Sequence, residues 1–238
     1  FEPNDLYLLV GLPVIRRKYL DQLLSQVDYK YLINLQKYKK LLTSKNSLLR
    51  RAKKQNISNL NELLFVLNIQ IVEPAMYIID ARKKLLKNIK KLIVDYYQII
   101  SGNKPTIEIN YLPSADTQDQ LLNLIDNNTN KDLLVGFCSV GPHREDFKVV
   151  FDTYNIEDNA SRGEIRSLVL AFKLAELEYI EKILHKRPTL LLDDVLSELD
   201  DDRQNHLLNN LSTQQTFITT THLHKNINPD FLDIELPL

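Results

Sequence analysis

The sequence predicts an α/β fold carrying a separate helical lobe. Three observations lead there. Between residues 16 and 101, apolar side chains recur in steps of three and four, as on long one-faced helices. From about residue 131, strand-like and helix-like stretches alternate. The charges divide along a similar line. Residues 14–101 hold 18 Lys/Arg against six Asp/Glu, a net +12, and the remainder holds 12 against 25, a net −13. The whole-chain net charge of −1 hides this asymmetry, which points to two regions with different partners.

Composition excludes several classes. Apolar residues make up 44% of the 238, too many for a disordered chain and enough for a sizeable core. The single cysteine, Cys138, allows no internal disulfide and suits a reducing compartment. No run approaches the ~18 to 20 apolar residues of a membrane span, so no membrane partner is expected. The opening FEPNDLYLLVGLP lacks the charged-then-apolar pattern of a signal peptide. It also begins without Met, so the chain is expected to be a piece of a longer polypeptide.

The elements follow in order. Residues 1–13 read as a short strand and turn, YLLVGLP. A long helix comes next, with Leu20, Leu24, Val27, Tyr31, Leu35, Tyr38 and Leu42 on one face. The pattern fades over 47–56. Ser58 suits the cap of a shorter helix through Leu67. Pro74 suits the first turn of another helix. Its stripe of Ala75, Ile78, Ile79, Leu85, Leu86, Ile89, Ile93 and Tyr96 runs on to Ser101 and Gly102. One-faced helices must pair, so 16–101 reads as an antiparallel helical arm or bundle, without a repeat at solenoid spacing. Ile107, Ile109 and Tyr111 alternate with polar residues, as in a half-buried strand. A polar helix is expected near 116–130 and strands near 135–140 and 147–154. A turn at 159–163 precedes a periodic helix to about His185. The run 189–192 reads as a strand buried on both faces. A helix after Asp202 and the β-branched run TFITTT at 216–221 complete a strand-helix-strand order that implies a parallel sheet.

Four motifs carry chemistry. PTLLLDDVLSELD at 188–200 places Asp193 and Asp194 at a strand's C-terminal end, where open α/β sheets bind ligands. A carboxylate there can hold Mg2+ beside a nucleotide phosphate, and its neighbour can orient or deprotonate a water. LLLDD alone reads equally as a strand ending in a solvated acidic turn. ASRGEIRSLVLAFKLAE at 160–176 opens a helix with Ser161 and Gly163, which offers free N–H groups to an anion. In isolation it is also an ordinary helix cap. VGPHRED at 140–146 forces a turn and presents His143 and Arg144, or simply forms a surface turn. FITTTHLHK at 217–225 ends a strand with threonines and His222, able to face a γ-phosphate or merely solvent. The histidines lack partners at zinc spacing.

The cations form two clusters. Lys37, Lys39, Lys40, Lys45, Arg50, Arg51, Lys53 and Lys54 make one, and Arg82, Lys83, Lys84, Lys87, Lys90 and Lys91 the other. No acid interleaves in either, so pairing along the helix does not explain them. Phosphate contact does, with Lys53, Lys54, Lys83, Lys84 and Lys87 as the expected DNA-binding residues. A solvated helix face is the plain alternative. No recognition-helix motif suggests base-specific readout.

The order of SRGE helix, LLLDD strand, SELD turn and Thr-rich strand end resembles the nucleotide-binding heads of ABC-type ATPases, as signature motif, Walker B strand, D-loop and switch strand. The blocks FEPNDLYLLVGLPVIRRKYLD, LQKYKKLLTSKNSLL, VGPHRED and LLLDDVLSELDDDRQNHLL narrow this. Together they resemble the RecF family, bacterial replication and repair proteins related to the heads of Rad50 and SMC proteins. The resemblance runs from residue 1 to about 221.

The resemblance implies the C-terminal part of an ABC-type ATPase lobe with a helical arm lobe. Residues 1–15 would end the N-terminal part of the ATPase lobe, 16–130 form the basic arm and 131–238 return to the ATPase lobe. It implies ATP and Mg2+ as cofactors. Asp193 takes the Mg2+-side carboxylate and Asp194 the catalytic one, which ABC ATPases usually fill with Glu. Ser161, Arg162, Gly163 and Glu164 form the signature that meets ATP on the opposite subunit, Asp200 lies in the D-loop, and His222 falls near the switch. It also implies sequence-independent binding of single-stranded, gapped or duplex DNA, an ATP-dependent homodimer and slow hydrolysis. RecO- and RecR-type partners, recombinase loading, the SOS response and a bacterial cytoplasmic, nucleoid-associated location follow in the same way. One departure stands out. None of the five glycines precedes Lys-Ser or Lys-Thr, so the Walker A loop G-x-x-x-x-G-K-S/T is absent. The chain is therefore expected to be N-terminally truncated and to bind ATP poorly alone. A non-enzymatic, helical DNA-binding or adaptor fragment is the alternative reading.

Overall fold

The computed structural model describes residues 3–196, 200–210 and 215–220. Its described residues divide into two compact units. One draws on Leu12–Asn88 and Ile109–Lys148, the other on Phe1–Gly11, Ile89–Glu108 and Val149–Leu238.

The unit built on Leu12–Asn88 is mostly helical. The 3-10 turn at Pro3–Leu6 and the single α turn α1 (Tyr7–Val10) belong to the other unit, and this one opens with α2 (Pro13–Val27) and α3 (Tyr29–Ala52). Where the sequence suggests the strand YLLV, Tyr7–Val10 is thus helical. A short apolar run fits either state, and here Gly11 N–H closes onto Tyr7 O at 2.8 Å before Pro13 opens the next helix. The expected single helix through 20–42 breaks at Asp28. That residue is extended (φ −135°, ψ 97°), and its carboxylate accepts from Tyr31 N–H at 3.0 Å and Tyr77 O–H at 2.8 Å.

The next helix, α4, runs unbroken over Leu60–Ser101. Pro74 lies inside it rather than in a first turn. The buried flank of Ile71, Val72, Ala75, Met76, Ile78 and Ile79 offsets a cost of about 3 kcal/mol for an interior proline. One 18-residue window of α4 is apolar enough for a membrane span by length and composition, and half of it is buried inside the protein. Contacts fix the direction of α3 against α4. Tyr31 meets Arg82, and one to two turns further along α3 Lys37 meets Glu73. The α4 partners descend as α3 ascends, so the two helices run antiparallel.

One buried side chain ties this unit together. Arg82, 2% exposed, donates to Asp21 Oδ1 (2.7 Å), Pro142 O (2.8 Å), Tyr31 Oη (3.2 Å) and Tyr111 Oη (3.3 Å). It thereby clamps α2, α3, α4 and the 140–146 turn. That turn is pinned further by Arg16 on Asp146, Arg17 on Glu145 O, and Glu145 on Tyr111 and Ser114 N.

Strand β1 (Ile107–Leu112), helices α5 (Gln118–Asn127) and α6 (Thr129–Val135), and strands β2 (Asp146–Phe151) and β3 (Tyr154–Asn155) follow, the strands ordered β1-β2-β3. The expected strand at 135–140 is not formed. Gly136 (φ +85°) caps α6, and side chains take the place of a neighbouring strand. Cys138 N–H donates to Asn46 Oδ1, and Ser139 donates to Asp132 Oδ1 from both N–H and O–H.

The other unit is built around α8 (Arg162–Leu184), which follows the short turn α7 (Ile156–Asn159). Leu168, Val169, Leu170, Ala171 and Phe172 are buried in succession, so α8 is apolar all round at its centre. Tyr96 donates to Glu178 at 2.8 Å, and Tyr97 packs edge-on against Phe151 at 5.3 Å. Beyond α8, β4 (Leu190–Asp193), α9 (Asp201–Asn210) and β5 (Thr216–Thr219) make a parallel crossover with Leu190 opposite Thr216 and Asp193 opposite Thr219. The expectation of burial on both faces fails here. Leu190 and Leu192 are buried, but Leu191 is 60% and its partner Phe217 56% exposed. A two-stranded sheet with one covered face buries only alternate residues.

Candidate functional site

Asp193 ends β4 on the sheet's exposed face. Thr219, directly opposite on β5, donates its hydroxyl to Asp193 Oδ1 at 2.6 Å. Asp194 turns away at once with φ +50°, a left-handed conformation that Asp tolerates better than most residues. Its N–H donates to Thr219 O and Thr219 Oγ1, both at 3.1 Å. A single threonine therefore holds the carboxylate of Asp193 and the backbone of Asp194. The TFITTT run signalled a threonine at this strand end, but not that it would hold the acids. Behind them, Gln204 Nε2 donates to Leu196 O at 2.6 Å and anchors the segment leaving the strand.

The Ser161–Glu164 opening of α8 is a full capping box. Ser161 Oγ accepts from Glu164 N–H at 3.3 Å, and Ser161 N–H donates to Glu164 Oε2 at 2.7 Å. Burial works to raise the Glu164 pKa. Hydrogen bonds from Ser161 and Tyr154 and the charge of Arg203 outweigh it, so the carboxyl sits below its usual range. Arg162 is exposed at the first helical position.

Asp200 precedes α9. Its carboxylate accepts from Arg203 N–H and Arg203 Nη1, each at 2.9 Å. The same guanidinium lies against Gly163, where a Cβ would meet Nη1 at 2.9 Å. Arg203 thus joins Gly163 to Asp200. In the sequence, the signal for this residue is the spacing of Asp200 and Arg203, three apart at a helix start. Ser197 to Leu199, Thr221 and His222 lie outside the described residues.

Among the described residues, no group of three His, Cys, Asp or Glu gathers as a metal cage. Asp193 and Asp194 fit a different kind of site. Mg2+ is commonly held by one or two carboxylates and completed by phosphate oxygens and waters.

The basic clusters change on folding. Lys45 is fully buried against Asp132 at 3.8 Å, and Arg82 is the clamp described above, so neither belongs to a phosphate-facing surface. Lys37, Lys39 and Lys83 have acidic neighbours from other elements, Glu73, Asp21 and Asp116. The absence of local acids does not exclude such partners. Lys53 and Lys54 are exposed at the end of α3, and Lys84 and Lys87 on α4. Because Arg82 lies level with Tyr31 and the helices are antiparallel, the two pairs stand roughly 40 Å apart along the helices.

No family model matches the chain. The DNA replication and repair protein RecF of Agathobacter rectalis is 37% identical over 234 residues, covering 97% of this chain and 63% of its own length. The protein of the same name from Lachnospira eligens is 34% identical over 228 residues, covering 96% and 62%. A solved structure described as the recombination mediator protein RecF-ATP in the RecFOR pathway matches with a TM-score of 0.86 at 34% identity, over 96% of this chain and 62% of that one. The chain is RecF-like. It spans less than two thirds of the length of these RecF relatives. Its fold is that of the ABC-type ATPase head, in its C-terminal part, with a helical lobe.

Proposed function

We propose that the chain works within a RecF-type, ATP-dependent DNA clamp. The observation that carries this is the pair Asp193 and Asp194, presented by Thr219 at the carboxyl ends of two parallel strands. ATP and Mg2+ are the cofactors this end suits. Mg2+ would neutralise phosphate charge there, held through Asp193. Asp194 would orient the attacking water, with His222 near the γ-phosphate. Ser161, Arg162, Gly163 and Glu164 would face the nucleotide of a second subunit, and Asp200 would sit beside them. Nucleotide held between two subunits would make the homodimer ATP-dependent and hydrolysis slow.

Lys53, Lys54, Lys83, Lys84 and Lys87 would contact DNA phosphates without reading sequence, on single strands, gaps or duplex. A separation of roughly 40 Å suits phosphates a little more than one duplex turn apart. Service in recombinase loading and the SOS response, with RecO- and RecR-type partners in the bacterial cytoplasm at the nucleoid and away from membranes, completes the reading. Its support is the RecF naming of the relatives and the RecFOR pathway of the matching structure.

The test is a chimera. Joined to the Walker A-bearing segment of a RecF relative, the chain is expected to bind fluorescent ATP tightly and to dimerise with it. The 238 residues alone are expected to bind it weakly. Tight binding by these residues alone would overturn the nucleotide reading. ATP binding by the chimera without dimerisation would favour an inert adaptor, the reading that the missing Walker A loop supports.

A further inference from the structure

We infer that the surface where α3 ends against α6 is a stacking site for an unpaired nucleobase, centred on Phe137 and Arg144. This rests on the DNA-binding reading above and adds a second kind of contact to it.

Phe137 follows the glycine that caps α6 and is 37% exposed, with Leu134 (77%) and Val135 (41%) beside it in the chain. An aromatic ring left at the surface with two aliphatic neighbours has no evident role in the core. The guanidinium carbon of Arg144 lies 4.8 Å from the ring centroid. Arg144 is the one exposed side chain in the otherwise pinned 141–146 turn, whose neighbours are fixed by Arg82, Arg17, Arg16, Tyr38 and Glu145. The pinned turn therefore holds an exposed cation over an aromatic face.

More cations lie close by. A Cβ on Gly136 would fall 3.3 Å from Lys53 Cδ and 3.5 Å from Arg50 Cγ, so both stems lie against the residue before Phe137. Among the described residues neither Arg50, Lys53 nor Arg144 forms an ion pair. The sole acid within 131–137, Asp132, is buried against Lys45 and Ser139, and residues 44–56 contain none.

The occupant follows from charge and shape. A protein helix docking on Phe137 and Leu134 would leave three cations to be desolvated or paired. Duplex phosphates would engage the cations and leave the ring unused. Single-stranded nucleic acid satisfies both, with a base on the Phe137–Arg144 pair and its flanking phosphates on Arg50 and Lys53. Arg144 and an aromatic ring together accept any base, so this contact adds no sequence preference.

The chain contains no tryptophan, so Phe137→Trp creates a single reporter. Three measurements on the whole chain test the site. First, a single-stranded oligothymidylate carrying one 2-aminopurine should lose emission on binding the unaltered chain, while the same probe base-paired in a blunt duplex should not. Second, Phe137→Trp emission should be quenched by oligothymidylate and not by duplex. Third, Phe137→Ala should weaken single-strand affinity by roughly tenfold and leave duplex affinity unchanged. Arg50→Gln and Lys53→Gln should lower the salt slope for both. If single strand and duplex bind but 2-aminopurine emission stays constant, or Phe137→Ala weakens both equally, the stacking site is wrong while the basic surface stands. If neither DNA binds at all, the phosphate reading fails and this inference falls with it. Emission of Phe137→Trp that changes with chain concentration in the absence of DNA would mark a contact between copies instead, and would also overturn it.

Discussion

The guanidinium of Arg203 occupies the space beside Gly163, where a Cβ would come within 2.9 Å of Nη1. The glycine at 163 thus leaves room for the Arg203 side chain on its way to Asp200. Because the obstacle is the flexible end of a side chain, Gly163→Ala should not unfold the protein. It should displace Arg203 from Asp200 and lose part of a surface pair worth at most about 1 kcal/mol, against a comparable gain in helix propensity. In an Arg203→Ala background only the gain remains, and Gly163→Ala should stabilise by roughly 0.5–1 kcal/mol. Thermal melts of the four proteins give this cycle. Equal effects in both backgrounds would show that Arg203 does not fill that space.

The capping box predicts a stability change with an acid-side signature. Ser161→Ala should cost about 1 kcal/mol by stranding the Glu164 N–H. Glu164 has its pKa lowered in the folded state, so its contribution is complete above the ordinary glutamate range, near ~4.3. That contribution is lost as pH falls further, through the folded value. Glu164→Gln should therefore flatten the stability curve on the acid side of that range and leave the slope above pH 6 unaltered. Denaturation midpoints at several pH values check both claims.

The long-range order of this chain was readable because it rests on periodicity. The stripe Ala75, Ile78, Ile79, Leu85 and Leu86 is buried in α4, and the run Leu168 to Phe172 forms the centre of α8. LLLDD ends a parallel strand as its residues suggest. The failures share one cause, which is that side-chain partners distant in sequence decide local events. Asp28 breaks a periodic helix while holding Tyr77, and Asn46 and Asp132 satisfy a loop that reads as a strand. Lys45 and Arg82 look like their solvated neighbours until Asp132 and Asp21 are brought to them. Arg203 sits in an acidic helix start whose own sequence does not reveal Gly163 beside it.

Lys45 and Asp132 give the clearest test of such a hidden pair. Both are 0% exposed, and among the described residues neither Lys45 Nζ nor Asp132 Oδ2 has a hydrogen-bond partner. Removing one charge leaves the other buried alone, so Lys45→Met or Asp132→Ala should cost about 3–5 kcal/mol. Lys45→Met combined with Asp132→Asn keeps an acceptor for Ser139 and removes both charges. It should recover most of the loss, since a buried ion pair imperfectly hydrogen-bonded contributes little net stability. Chemical denaturation of the three variants decides it. A double variant no better than Lys45→Met would mean that the pair itself is stabilising.

His143 should make the helical unit acid-sensitive well above the carboxylate range. Burial lowers its pKa to about 4, against the pull of its bond to Cys138 O and with the help of Arg144 and Arg17, while Asp132 acts weakly the other way. Nε2 faces Cys138 O at 2.9 Å and Nδ1 faces Tyr38 Oη at 2.5 Å. The carbonyl can only accept, so Nε2 carries a proton; with the pKa lowered to about 4 the ring is neutral at pH 7, and Nδ1 accepts from the tyrosine. Unfolded, the same side chain titrates near ~6.5. Between the two values the unfolded chain takes up a proton that the folded one refuses. Stability from this group is therefore complete above pH ~6.5 and falls by roughly 3 kcal/mol by pH 4. Cys138, the only cysteine and 1% exposed, reports opening of this region directly. Its thiol-labelling rate, divided by that of an unfolded control at each pH, should rise steeply from pH 7 to pH 4. His143→Gln keeps an acceptor and a donor but cannot titrate, so its ratio should stay nearly flat over that interval. If the two proteins show the same slope, some other group carries the acid sensitivity and His143 is not held neutral by its burial.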